Sequence, residues 1–111
     1  MSALDKLVGN STHFKIMKLY YENMDLSENI SEISRIINRS HITVKKAIND
    51  LESIGVLREK RIGRSRVVTI NEESPYTKAV FEFFKNVKEI EEKTFLESLI
   101  KRKASFEASN K

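Results

Sequence analysis

Residues Ile30 to Asn71 read ISEISRIINRSHITVKKAINDLESIGVLREKRIGRSRVVTIN, and the fold of the chain is decided within them. Ile30, Ile33, Ile36 and Ile37 recur at helical spacing, so a short helix has one apolar side, and Ser31-Glu32 at its start suits the positive end of the helix dipole. Ile37-Asn38-Arg39-Ser40 interrupts the pattern. Asn38 tolerates a left-handed backbone, and Ser40 is placed to accept from the amides that follow. A longer helix from His41 to Ile54 puts Val44, Ala47, Ile48, Leu51 and Ile54 on one stripe, and Gly55 ends it as a left-handed cap. Val56 to Arg61 and Arg66 to Asn71 are rich in β-branched and basic residues. They flank Ile62-Gly63-Arg64-Ser65, where Gly63 supplies a positive φ, which predicts a hairpin.

Outward from this segment, Gly9-Asn10 break a short apolar stretch (Leu4, Leu7, Val8). Ser11 or Thr12 then caps a helix from about Phe14 to Met24, with Ile16, Met17, Leu19, Tyr20 and Met24 at helical spacing. On the other side, Pro75 suits the first position of a final helix, where its missing N–H is no loss. The helical pattern continues to about Ala104, or ~45 Å, and Ser105 to Lys111 are expected to fray. The predicted class is mainly α with a small β-hairpin (α+β). Residues 1–73 form the compact domain, and residues 74–111 form a helix that is not an independent domain.

A chain of 111 residues suffices for one core plus an appended element. With 40% hydrophobic residues, three glycines and one proline, it is neither collagenous nor disordered in composition. The absence of cysteine excludes disulfide frameworks, thiolate metal sites and cysteine nucleophiles. MSALDKLVGN lacks the pattern of a signal peptide, and no stretch approaches the ~18 apolar residues of a membrane span. A cytoplasmic protein with no membrane partner is expected. The net charge of +4 is unevenly spread: residues 31–71 carry nine bases (Arg35, Arg39, Lys45, Lys46, Arg58, Lys60, Arg61, Arg64, Arg66) against four acids (Glu32, Asp50, Glu52, Glu59). Positive charge concentrated in the middle of the chain points to a polyanionic partner.

Short helix, four-residue turn, longer basic helix, glycine and basic hairpin together resemble the DNA-binding core of archaeal and bacterial winged helix-turn-helix regulators of the broad ArsR/MarR type. The resemblance covers about residues 14–71. It implies that the helix beginning at Ser40 and His41 enters the major groove of double-stranded DNA and that the hairpin, the wing, grips the flank. With the apolar stripe inward, the outward set is Ile42, Lys46, Asn49 and Ser53, with Lys45 alongside. Lysine can donate to guanine, asparagine can pair bidentately with adenine, and an aliphatic group can touch a thymine methyl. Lys46 and Asn49 are therefore the candidate base readers. Lys45, Arg61, Arg64 and Arg66 are the candidates for phosphates or the minor groove, and the amides near Ser40 and His41 for a phosphate.

Other chemistry is poorly supported. His13 and His41 have no metal-ligand spacing, and the chain lacks the cysteines or clustered histidines that ArsR-type metal sensors generally carry. No phosphate loop, nucleophile elbow or catalytic carboxylate pair is present, so neither an enzyme nor a cofactor is expected. Glu89, Glu91 and Glu92 alternate with lysines as ordinary helix surface.

In the final helix, Tyr76, Val80, Phe83, Val87, Ile90 and Thr94 are spaced like the seam of a helix pair. Phe84, Phe95, Leu96, Leu99, Ile100 and Phe106 add apolar surface beside it. A domain of this size cannot shelter such a helix along its length. A homodimer is expected, with Tyr76, Val80, Phe83, Phe84, Val87, Ile90, Phe95, Leu96, Leu99 and Ile100 at its interface. The expected function is that of a homodimeric, sequence-specific transcription regulator acting as a repressor. The alternative is a chromosome-organising DNA-binding protein of low specificity. No residue pattern in the sequence specifies a small-molecule effector.

Overall fold

The computed structural model describes residues 2–109 and has five helices and one hairpin: α1 (Ala3–Val8), α2 (Thr12–Glu22), α3 (Ile30–Ile37), α4 (His41–Ser53), β1 (Leu57–Ile62), β2 (Ser65–Ile70) and α5 (Pro75–Ser109). Helices α2, α3 and α4 enclose a core of Ile16, Met17, Tyr20, Ile33, Val44, Ala47, Ile48 and Leu51, to which the hairpin root adds Val56, Leu57 and Val68. The architecture is mainly α with a two-stranded antiparallel wing, as the residue pattern predicts.

Most boundaries follow from local chemistry. Ser11 Oγ accepts from the Phe14 amide and starts α2. Asn29 Oδ1, not Ser31, caps α3, receiving the Glu32 amide at 2.8 Å; an Asx cap one residue ahead of the first apolar position holds that amide better than the serine inside the helix. Asn38, at φ 54°, closes α3 in the left-handed region, and Ser40 opens α4 by accepting from the Thr43 amide. Ile54 is the C-cap of α4 and is half exposed, so the inward stripe stops at Leu51.

Two further features differ from the sequence reading. The apolar stretch before Gly9 is a helix, α1, capped by Ser2 and laid against α5, where the Ala3 amide donates to Glu91 Oε1 at 3.1 Å. A helix of six residues has little stability of its own, so packing on α5 accounts for it. In addition, α5 continues to Ser109, past the expected end at Ala104, and at 35 residues is ~52 Å long. Residues 110–111 and the side chain of Phe106 lie outside the described residues.

The first turns of α5 belong to the protomer's own core. Phe84 is 1% exposed and Val87 is 8% exposed, and Val80 packs against the same cluster. Phe84 meets Phe14 and Tyr21 of α2 at ring separations of 6.3 and 5.4 Å, and Phe81 lies 5.3 Å from Tyr21. Val80 and Val87 of the heptad seam, and Phe84 beside it, therefore do not stand at an open face as the sequence pattern suggests. The aromatic socket on α2 captures that side of the helix first, and the core runs across the boundary at residues 73 and 74. Beyond the α1 contact at Glu91 the helix leaves the body, and the molecule measures 69 × 28 × 24 Å.

Candidate nucleic-acid interface

The outward face of α4 is formed as a by-product of burying its inward face. Val44, Ala47, Ile48 and Leu51 are buried, which turns Ile42, Lys45, Lys46, Asn49 and Ser53 to solvent; Ile42 is 82% exposed. An isoleucine so bare is costly in water and useful against a thymine methyl. His41 is exposed in the first turn. Two of the serines have internal work: Ser40 Oγ caps the helix and donates to Thr43 Oγ1, and Ser53 Oγ donates to the Asp50 carbonyl at 2.6 Å.

Two polar ties from the start of α2 hold α4. The Arg39 guanidinium, in the turn before α4, donates to the carbonyl and side-chain oxygens of Asn10. His13 Nε2 lies 2.8 Å from Asp50 Oδ2. Its partner is 37 positions away, so neighbouring residues carry no signal of the pair.

The wing is a two-residue hairpin in which Ile62 pairs with Ser65 around Gly63-Arg64. Gly63 has φ +62° and Arg64 a negative φ, the backbone of a type II′ turn, whose first central position favours glycine. The register places Leu57, Glu59 and Arg61 opposite Ile70, Val68 and Arg66 on the sheet face turned to the core. Arg61 and Arg66 thus continue that face outward as directly opposed like charges, an arrangement that weakens a free hairpin and that an anion relieves. Arg58 and Lys60, not singled out by the sequence reading, are exposed on the other face. Strand alternation starting from buried Leu57 is the signal that places them.

The wing root meets the last turn of α4 at two carboxyl groups. Glu52 of α4 faces Glu59 of β1, and burial followed by the Glu59 charge holds the Glu52 carboxyl above the usual glutamate range. Its Oε1 is cut off from water and has no hydrogen-bond partner among the described residues. Glu59 is also 3.9 Å from Arg66 Nη1. Tyr20, whose hydroxyl donates to the Val68 carbonyl at 2.5 Å, is held protonated by burial and by Glu28 and Glu52. The Tyr20 hydrogen bond ties β2 to α2, while β1 packs against α4.

The acids of the segment are thereby occupied: Asp50 with His13, Glu59 with Arg66, Glu32 with Arg35, and Glu52 half-buried. Among the described residues, Lys45, Lys46, Arg58, Lys60, Arg61 and Arg64 have no carboxylate within 4.0 Å, so the surface formed by α4 and the wing is positive. No group of three or more potential metal ligands occurs among the described residues. Among the described residues no helix is long and apolar enough to cross a membrane.

Neither a protein-family model nor a curated protein matches the chain by sequence. Its fold is similar to those of solved transcription regulators. MepR of S. aureus in complex with DNA superposes with a TM-score of 0.61 at 12% identity, over 92% of this chain and 83% of the other. NMB1585, a MarR family regulator from Neisseria meningitidis, gives a TM-score of 0.53 at 17% identity, over 97% and 88%. The transcriptional regulator Tm0710 from Thermotoga maritima gives 0.52 at 16%, over 96% and 82%. By fold, the chain is a winged helix-turn-helix protein similar to MarR family regulators.

Proposed function

We propose that the protein is a non-enzymatic, sequence-specific transcription regulator that binds double-stranded DNA as a homodimer, acting as a repressor in the cytoplasm on nucleoid DNA. In this reading α4 lies in the major groove, with Lys46 and Asn49 reading bases and Ile42 against a methyl group. Lys45, Arg61, Arg64 and Arg66 hold phosphates or the minor groove, and the α4 amides at Ser40 and His41 approach a phosphate. The observation that carries it is the set of cations on α4 and the wing that have no carboxylate within 4.0 Å among the described residues, on two elements that pack against each other. Likeness to a regulator solved with DNA supports the same reading.

The distal part of α5 supports the homodimer. Ile90, Phe95, Leu96, Leu99 and Ile100 are between 43% and 67% exposed, and Phe83 and Tyr76 are 39% and 59% exposed. A second copy covers such a helix by the simplest closed symmetry. Residues 1–73 with the first turns of α5 then form the DNA-binding unit, and the remainder of α5 forms the dimerisation element. Two-fold symmetry presents two α4 helices to half-sites ~34 Å apart.

Selection from a random duplex pool tests the proposal. A regulator enriches a rough palindrome of fixed spacing and prefers it by ~10³-fold or more over random duplex. Half-sites without preferred spacing and a ratio near one would instead identify a DNA-coating architectural protein.

A further inference from the structure

The projecting end of the wing carries an apolar side chain that the hairpin does not need. Ile62 closes the turn opposite Ser65 and is 54% exposed. Serine offers little surface to pack on, so Ile62 gains little of the cross-strand stabilisation that bulky pairs provide. It stands among cations: Arg61 and Arg66 on the face turned to α4, Arg58 and Lys60 on the other, Arg64 in the turn itself. Cations on both faces can take phosphates on both sides of a groove, which leaves the tip over the groove between them. The minor groove is ~6 Å wide. Two strands ~4.8 Å apart, with side chains on both faces, are too broad to enter it, whereas the end of a two-residue turn is not.

Resting on the DNA-binding reading above, we infer that Ile62 is a specificity-determining residue that enters the minor groove beside the half-site and presses against a base step. It forms no hydrogen bonds there and selects by shape. The 2-amino group of guanine obstructs it, so A·T pairs are preferred, and flexible pyrimidine–purine steps yield to it most readily. Its role differs from that of Arg64, whose charge attracts any sequence.

Duplexes selected from a random pool by the full-length protein supply the probe. Each is remade with G·C pairs in the flank and again with inosine·cytosine in their place, which removes the 2-amino group while leaving the major-groove edge unchanged. Wild-type protein should bind the inosine duplex about tenfold more tightly. Ile62→Leu should keep most of that preference. Ile62→Ala should bind both duplexes alike, with an unchanged salt slope, and because the side chain lies outside the core the variant retains its fold. Equal binding of the two duplexes by the wild type, or a preference that survives Ile62→Ala, overturns the inference and leaves the DNA-binding reading standing. Failure of the wild type to retain any duplex overturns both.

Discussion

The two halves of α5 are one helix in different company. From Thr77 to Val87 its side chains complete the protomer's core, whereas from Ile90 to Ile100 five large apolar residues are exposed. Part of the distal surface continues the proximal stripe, since Phe95 falls in line with Thr77, and the rest does not. Stepped at about 100° per residue, Thr77, Val80, Phe84 and Val87 share one side, while Leu96, Leu99 and Ile100 fall on a side held nearer the body by Lys85, Glu89 and Glu92. Helix α4 repeats the division across its width, closed on Val44 and Ile48 and open on Ile42, Lys46 and Asn49. An apolar residue thus stabilises the protomer only where the protomer supplies its partner; elsewhere it stabilises whatever complex does.

Phe84→Ala should show the largest effect on the closed side. Removing a buried ring from between Phe14 and Tyr21 should destabilise the fold by ~3–5 kcal/mol, read as a shift of the urea midpoint. On the open side, Leu96→Ser with Ile100→Ser should leave the urea midpoint of dilute protein within ~0.5 kcal/mol of the wild type. The same pair should abolish the dimer in sedimentation and weaken operator binding by ~100-fold as the two half-sites become independent. Equal loss of stability from both changes would mean that the distal helix is covered within the protomer.

These boundaries between closed and open surfaces were unequally legible in the sequence. Asn38, Ser40, Gly55 and Pro75 mark element ends correctly because each acts through its own backbone neighbours. The outward face of α4 follows from its inward one. The heptad spacing, by contrast, assigned Val80 and Val87 to a partner, with Phe84 beside the seam, since periodicity shows that a face is apolar and not what covers it. Arg39–Asn10, His13–Asp50 and Glu52–Glu59 join residues distant in sequence, and no local pattern announces them. Short α1 was missed for the same reason: α5 stabilises it.

Glu52 sits where the closed core leaves a polar atom uncompleted. Its carboxyl titrates above the usual range because burial and Glu59 oppose the charged form. A raised acid contributes stability that is fully present below the unfolded-state value, near 4.5, and is lost as pH rises through the folded one. Glu52→Gln removes the titration and keeps a donor toward Glu59. The variant should match the wild type near pH 4 and exceed it in stability at pH 7. Urea midpoints at the two pH values check this, and a variant less stable at pH 7 would show that the carboxylate is satisfied there.

The smallest effect separates the two parts of the open surface from each other. Arg64 carries charge at the tip of a turn and has no carboxylate partner among the described residues, so its contribution to binding is the release of counterions from phosphate. Arg64→Ala should weaken every duplex alike and reduce the slope of log K against log salt by about one unit. Asn49 is uncharged and exposed on α4, where an amide can pair bidentately with adenine. Asn49→Ala should leave the salt slope unchanged and lower the preference for the selected site by about tenfold relative to random duplex. Binding titrations of the two variants over a series of salt concentrations, on the selected site and on random duplex, measure both quantities. Identical behaviour of the two would mean that α4 and the wing act as one cationic surface, and the division of labour between reading and gripping would fall.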